Sequence, residues 1–181
     1  MSSSPTRRGY VIEPARREDL QGLPAIEAEA SALFDGWNVT LPPNPGQCDD
    51  EEFAEAHAAG LLWVARSPEG ELAGFALVEL AEGEPHLEEI DVRPAHGRRG
   101  VGRALVEAVL AWARTAGHRQ VTLTTFRDLP WNEPFYASVG FRSLEPSELT
   151  SPLEAIVRYE EEHGLARDER VVMRYDLKPV H

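Results

Sequence analysis

The residues whose types and spacing most plainly suggest a chemistry lie in the stretch 90–105, IDVRPAHGRRGVGRAL. It reads as a strand ending at Val92, a Pro94 that blocks its continuation, and a glycine- and arginine-rich turn opening a helix near Gly100. The first turn of a helix leaves backbone N–H groups unpaired and carries partial positive charge. Gly97, Gly100 and Gly102 let the backbone approach an anion, and Arg98, Arg99 and Arg103 add charge-assisted donors around Val101. Together these describe a cradle for a pyrophosphate.

Two familiar nucleotide patterns fail on this loop. A Gly-x-Gly-x-x-Gly fingerprint starting at Gly100 finds Leu105 where its third glycine belongs, and a P-loop needs a lysine where the chain's only lysine is Lys178. A glycine-rich turn with solvated arginines remains the alternative at this point. Composition narrows the ligand. Eighteen Lys and Arg against 31 Asp and Glu give a net charge of −13, which argues against nonspecific binding to nucleic acid or anionic membrane. The same acidity favours a small cationic substrate such as an amine, while Arg93, Arg98, Arg99 and Arg103 form a local positive patch.

The segment Leu87–Gly102 resembles the cofactor motif of the GNAT superfamily of N-acetyltransferases, Arg/Gln-x-x-Gly-x-Gly/Ala, with Gly100 and Gly102 at its glycines. Ile90, Asp91 and Val92 match the strand that flanks pantetheine, followed by the usual proline at 94. Downstream, Tyr136, Gly140 and Phe141 match the family's Tyr-x-x-x-Gly-Phe. The resemblance covers about Gly70–Phe141. It implies an enzyme that uses acetyl-CoA as cosubstrate, without a metal, to acetylate a primary amine of a small molecule or a protein by direct attack. It also implies cofactor contacts from Ile90, Asp91, Val92, Gly97, Arg98, Arg99, Gly100, Val101, Gly102, Arg103, Asn132 and Tyr136. The chain departs from the pattern twice. Gly97 stands where the family has Arg or Gln, and Asn132 lies four residues before the tyrosine rather than seven. Those departures keep a non-catalytic acyl-CoA-binding sensor in play, and an interaction protein binding another anion is a third reading.

Acyl transfer to an amine requires a neutral amine, a polarised thioester carbonyl and a proton for the leaving thiolate. An alkyl amine has a pKa of roughly 10.4, so neutralising it at pH 7 costs about 4–5 kcal/mol. Residues two apart on a strand share a face, which places Glu84, His86 and Glu88 together. His86 and Glu88 are the candidate bases, with Glu89 and Asp91 expected to face the other way. The resemblance implies that Tyr136 is the general acid and that the backbone N–H of Val92 polarises the carbonyl. Asp35 is a further candidate for holding a cationic amine, and Thr124 with Thr125 for lining the acceptor site. Cys48, the sole cysteine, sits in a Pro/Gly/Asn-rich loop without a recognisable catalytic partner and reads as a bystander thiol; an intrachain disulfide is impossible, which fits a reducing cytoplasm.

The elements that must position these residues are an early strand at Tyr10–Glu13 and a helix over Arg16–Phe34, marked by Leu20, Leu23, Ile26, Ala30 and Leu33. Leu41–Gly46 is a loop, and acids at 49–52 open a second helix that ends near Gly60. A hairpin over Leu61–Arg66 and Glu71–Leu80, a strand over His86–Val92 and a long helix over Gly100–Ala116 follow. Then come a strand at Val121–Phe126, a short helix at Glu133–Val139, a helix at Pro152–His163 and a last strand at Arg170–Leu177, with Gly74 and Gly83 suggesting bulges or turns. The expected fold class is α/β (α+β), a GNAT-like domain with a mixed, mostly antiparallel sheet of six to seven strands flanked by helices. Residues 1–9 are expected to be a flexible terminus and 10–178 a single acyl-CoA N-acyltransferase domain, with no membrane segment and a homodimer conceivable through the last strand.

Overall fold

The computed structural model describes residues 4–5, 9–41, 48 and 50–178. It is an α/β fold with a mixed sheet flanked by helices, as expected. The strands are β1 (Ser4–Pro5), β2 (Val11–Pro14), β3 (Leu62–Arg66), β4 (Leu72–Ala81), β5 (Glu84–Val92), β6 (Gln120–Phe126), β7 (Arg142–Ser143) and β8 (Arg170–Asp176). The helices are α1 (Leu23–Ser31), α2 (Asp50–Ala59), α3 (Val101–Thr115), α4 (Glu133–Val139) and α5 (Ser151–Glu162). The sheet order is β1-β2-β3-β4-β5-β6-β8-β7, in which β5 and β6 run parallel. Six of the strands have four residues or more; β1 and β7 are two-residue segments at the two edges.

Contacts gather the chain into two compact units, and the division cuts β4, β5 and α3. The first comprises residues 1–36, 46–79 and 88–112. Its core packs Leu23 and Ile26 of α1 and Phe53 and Ala56 of α2 against Leu62, Val64, Phe75 and Leu77. The helix expected over Arg16–Phe34 is broken: a 3-10 turn spans Arg17–Gly22, α1 follows, and a second 3-10 turn spans Ala32–Phe34. Pro24 explains the break, because a proline in the first turn of α1 cannot donate back to the preceding turn. The 3-10 turn delivers Asp19 into a buried pairing with Arg66, whose Nη2 lies 2.7 Å from Asp19 Oδ2. Gly74 and Gly83 mark irregularities as anticipated. The β3–β4 register shifts between Ala65 and Arg66, beside Gly74, and Glu82 and Gly83, both with positive φ, close the tight β4–β5 turn. That turn lets β5 start at Glu84, two residues earlier than expected.

The second unit comprises residues 37–45, 80–87 and 113–181. Here β6 is paired in parallel with the start of β5, His86 opposite Thr122, and antiparallel along its whole length with β8. Leu144, Leu153, Val157 and Val172 form its core beside α5. The last strand is interior, between β6 and β7, so a dimer made through it would have to displace β7. Most of the expected loop Leu41–Gly46, and all of the expected terminus 1–9 except Ser4, Pro5 and Gly9, lie outside the described residues.

Candidate functional site

The glycine–arginine loop is built in the first unit as the sequence implied, and its geometry explains its composition. After Val92, Pro94–His96 make one 3-10 turn, closed by Gly97 N–H donating to Pro94 O at 3.1 Å. A Cβ at Gly97 would lie 3.2 Å from that same oxygen, so the family's Arg or Gln would crowd this turn. Arg98 follows with φ 57°. A non-glycine residue in this left-handed region costs about 1–2 kcal/mol, and such strain concentrates at binding sites. Gly100 takes φ 82° with open space around it, and its carbonyl accepts the first helical bond of α3 from Ala104 at 3.0 Å. The backbone N–H groups of Val101 and Gly102 therefore have no acceptor within the helix. Gly97 to Gly100 are exposed, so this turn presents donors outward. These residues suit a pyrophosphate.

The arginines divide. Arg98 and Arg99 are exposed on the loop, and Arg99 Nη1 lies 3.4 Å from the Tyr10 hydroxyl. Arg103 sits 3.6 Å from Glu107, one turn along α3. Arg93 is committed elsewhere, donating through Nε to Leu72 O at 2.9 Å and through Nη1 to Glu29, which removes it from the positive patch read in the sequence.

Beside the loop, β5 contributes a cluster that the strand pattern alone did not reveal. Glu89, expected to face the other way, meets Glu27 of α1 and Cys48 in the first unit, and Asp91, expected to face with it, is hydrogen-bonded to Glu89. The Cys48 backbone N–H donates to Glu27 Oε1 at 3.0 Å, and its thiol donates to Glu89 Oε2 at 2.9 Å. Ligand-type atoms of Glu27, Cys48 and Glu89 all lie within 4.8 Å of one another. Burial, then the nearby Asp91 and Glu27 charges, pushes the Glu89 carboxyl well up. Burial also raises Asp91, to about 7, against a hydrogen bond from Glu89 that favours its charged form. Glu89 is therefore the protonated partner and Asp91 the acceptor. Glu27 is raised too, chiefly by burial. Burial and the surrounding carboxylates raise the Cys48 thiol, so it is a neutral donor rather than a nucleophile, in keeping with a thiol outside the chemistry. The signal in the sequence was Glu27, an acid one residue after Ile26 on the apolar face of α1, where it is 1% exposed.

The remaining expected residues fall in different places. Glu88 is exposed on β5 in the first unit. His86 is not an accessible base: it is 2% exposed in the second unit, with Nδ1 2.9 Å from Thr122 Oγ1. Burial, with Arg170 nearby, lowers its imidazole to about 4, so it stays neutral and structural. The shared face of Glu84, His86 and Glu88 is thus not uniform, because Glu84 accepts from Arg119 Nε at 3.0 Å.

In the second unit Tyr136 is half-buried on α4, its ring 5.0 Å from Phe135 and 5.9 Å from Phe141. The Tyr-x-x-x-Gly-Phe pattern has a local cause. Gly140, at φ 119°, ends α4, where a Cβ would meet Tyr175 at 2.9 Å, and Phe141 turns inward at 3% exposure. Asn132 starts α4 and accepts the Tyr136 N–H at 3.0 Å through its carbonyl. Thr124 donates to Glu160, which also pairs with Arg170, and so belongs to a structural network. Asp35 is exposed in the first unit. Trp37 and Trp131, on loops of the second unit, meet edge-to-face at 4.8 Å.

Residues 27–141 match the profile of the Acetyltransferase (GNAT) family. Streptothricin acetyltransferase of Streptomyces lavendulae is 37% identical over 91 residues, 48% of this chain and 48% of that protein. Aminoglycoside N(6')-acetyltransferase type 1 of Stenotrophomonas maltophilia is 41% identical over 75 residues, 36% of this chain and 49% of that protein. The similarity thus spans about half the length of these curated relatives. The N-acetylglutamate synthase of Neisseria gonorrhoeae, solved with coenzyme A and N-acetyl-glutamate, shares the fold. Its TM-score is 0.68 at 18% identity, over 93% of this chain and 35% of that one.

Proposed function

The chain belongs to the acetyltransferase (GNAT) family, which residues 27–141 match, and from that premise we propose that it is an N-acetyltransferase carrying acetyl from acetyl-CoA to a primary amine of a small cationic molecule. The observation that carries the reading is the exposed loop at the start of α3. There a left-handed Arg98, an open Gly100 and the first-turn N–H groups meet two exposed arginines. Bound at this loop, acetyl-CoA would supply the activated thioester. Gly100, Val101 and Gly102 would give backbone donors to its pyrophosphate, Gly97 would shape the turn with its own N–H held by Pro94 O, and Arg98, Arg99 and Arg103 would give countercharge, while Ile90, Asp91 and Val92 would flank the pantetheine. The Val92 N–H would polarise the thioester carbonyl.

For proton removal we favour Asp91, hydrogen-bonded by the protonated Glu89, over the exposed Glu88. A carboxyl raised to about 7 is matched to taking a proton near neutrality. Tyr136 would protonate the leaving thiolate, and Asn132 would help place the cofactor from the start of α4. The acceptor reading draws on the relatives, one named for streptothricin and one for aminoglycosides. It draws also on the net charge of −13. No helix among the described residues is long and apolar enough to cross a membrane, and a cytoplasmic location accords with the single buried-type thiol.

A panel of mono- and polyamines, assayed for release of free CoA thiol, tests the function. Turnover with an aminoglycoside- or streptothricin-like amine is expected, and Tyr136→Phe should lower kcat by about 10²-fold with little change in acetyl-CoA affinity. Tight acetyl-CoA binding without thiol release across the panel would convert the reading to a sensor. An unchanged rate in Tyr136→Phe would remove that residue as the acid.

A further inference from the structure

The geometry points to Tyr10 as a positioning residue for the cofactor loop, acting on it through Arg99 and His96. This rests on the assignment of that loop to the acetyl-CoA pyrophosphate. Tyr10 stands just before β2, 1% exposed, on a segment far from the loop in sequence. Its hydroxyl lies 2.8 Å from His96 Nδ1 and 3.4 Å from Arg99 Nη1, and its ring meets the imidazole edge-on at 5.7 Å.

A guanidinium only donates, so the tyrosine oxygen accepts from Arg99; toward His96 Nδ1 the hydroxyl donates or accepts according to the imidazole tautomer. On the other side of the ring Nε2 lies 3.9 Å from Glu71 Oε2. The two partners of the hydroxyl flank Gly97 and the left-handed Arg98. One buried oxygen therefore ties together both ends of the turn that presents the loop's donors. The ring itself is packed in place, so the anchor is fixed and the loop is registered against it. Removing the hydroxyl takes from His96 Nδ1 and Arg99 Nη1 the oxygen that they share. A preformed anion site would thereby become one that must be ordered by its ligand, and a ligand pays for such ordering in affinity.

Because the brace acts on the phosphate-binding turn, its loss should be felt by CoA and not by pantetheine, which lacks the pyrophosphate. Calorimetric binding of both ligands to the full chain reads this. Tyr10→Phe should weaken CoA by about 10-fold, the scale of one hydrogen bond to a charged group, and leave pantetheine unchanged. His96→Asn, whose amide keeps a hydrogen-bonding group close to the position of Nδ1, should retain CoA affinity where His96→Ala loses it. In the Arg99→Gln background Tyr10→Phe should cost less CoA affinity than it does in the wild-type chain, since part of the brace acts through Arg99 and the rest through His96. Equal CoA affinity in Tyr10→Phe, or equal losses for CoA and pantetheine, would overturn the inference. A wild-type chain that binds CoA no better than pantetheine would instead overturn the pyrophosphate assignment beneath it.

Discussion

Glu27 and Glu89 gather at the Cys48 thiol, Asp91 is hydrogen-bonded to Glu89, and burial makes the ionisation of all three carboxyls costly. An acid whose folded pKa is raised binds more protons in the native state than in the unfolded one. Its contribution is therefore most favourable at low pH and is lost as pH climbs from the ordinary carboxylate range toward about 7, the value for Asp91. Asp91→Asn should flatten that decline and raise stability at pH 8 by on the order of 1–3 kcal/mol, read from urea midpoints across pH 4–8. The same substitution should cost activity. If Asp91 takes the amine proton, wild-type kcat/KM rises through about pH 7, and Asp91→Asn loses both this limb and about 10²-fold in rate. Survival of the limb in Asp91→Asn with its loss in Glu88→Gln would move the base to Glu88. The stability gain and the activity loss are opposite in sign, which separates a residue kept for chemistry from one kept for the fold.

At the scale of elements, β4 and β5 approach closely where the acids and the cofactor strand meet. A Cβ on Gly74 would lie 2.5 Å from the Asp91 carbonyl oxygen and 3.2 Å from Val92 Cα, both backbone atoms. Gly74→Ala should therefore destabilise by about 1–3 kcal/mol, and by displacing Asp91 and Val92 it should lower kcat as well. Gly83→Ala is the control: at φ 84° with open space around it, it should cost about 1 kcal/mol and leave kcat intact. Equal kcat in the two variants, at matched stability, would mean that β4 does not set the geometry of β5. Gly74 could be flagged in the sequence as an irregular point, but not its partner, since that depends on how two strands pack. The same limit recurs elsewhere. The periodicity of α3 and the composition of α4 placed those helices within a residue or two, because propensity, glycine stops and amphipathic spacing agree there. The break before α1 and the two-residue β7 were not legible, the first because Pro24 is tolerated in a helix's opening turn, the second because two paired residues leave no pattern. In the site, the loop could be read from residue types. The burial of His86 and the gathering of Glu27, Cys48 and Glu89 could not, since strand alternation does not say which half of β5 is covered.

Across the whole molecule, the ligands proposed for the chain carry opposite charge, and the chain answers them at different ranges. A net charge of −13 creates a field that reaches beyond contact distance and draws cations, while the acetyl-CoA proposed as donor would be held by a local exception, Arg98 and Arg99 on backbone donors. Long-range attraction is screened within a Debye length, about 8 Å at 0.15 M salt. Donor and acceptor should thus differ in their salt response once the donor is saturating. Raising NaCl from about 0.05 to 0.5 M should increase KM for a polycationic amine by about 3- to 10-fold, because steering and desolvated charge contacts both weaken. An amine of the same size with a single charge should change much less. The two series, measured by thiol release at fixed saturating acetyl-CoA, isolate the acceptor because the donor concentration no longer limits the rate. Parallel salt curves for the polycation and the monoamine would show that the acidic surface serves solubility alone, and would return the acceptor to the class of neutral or weakly charged amines.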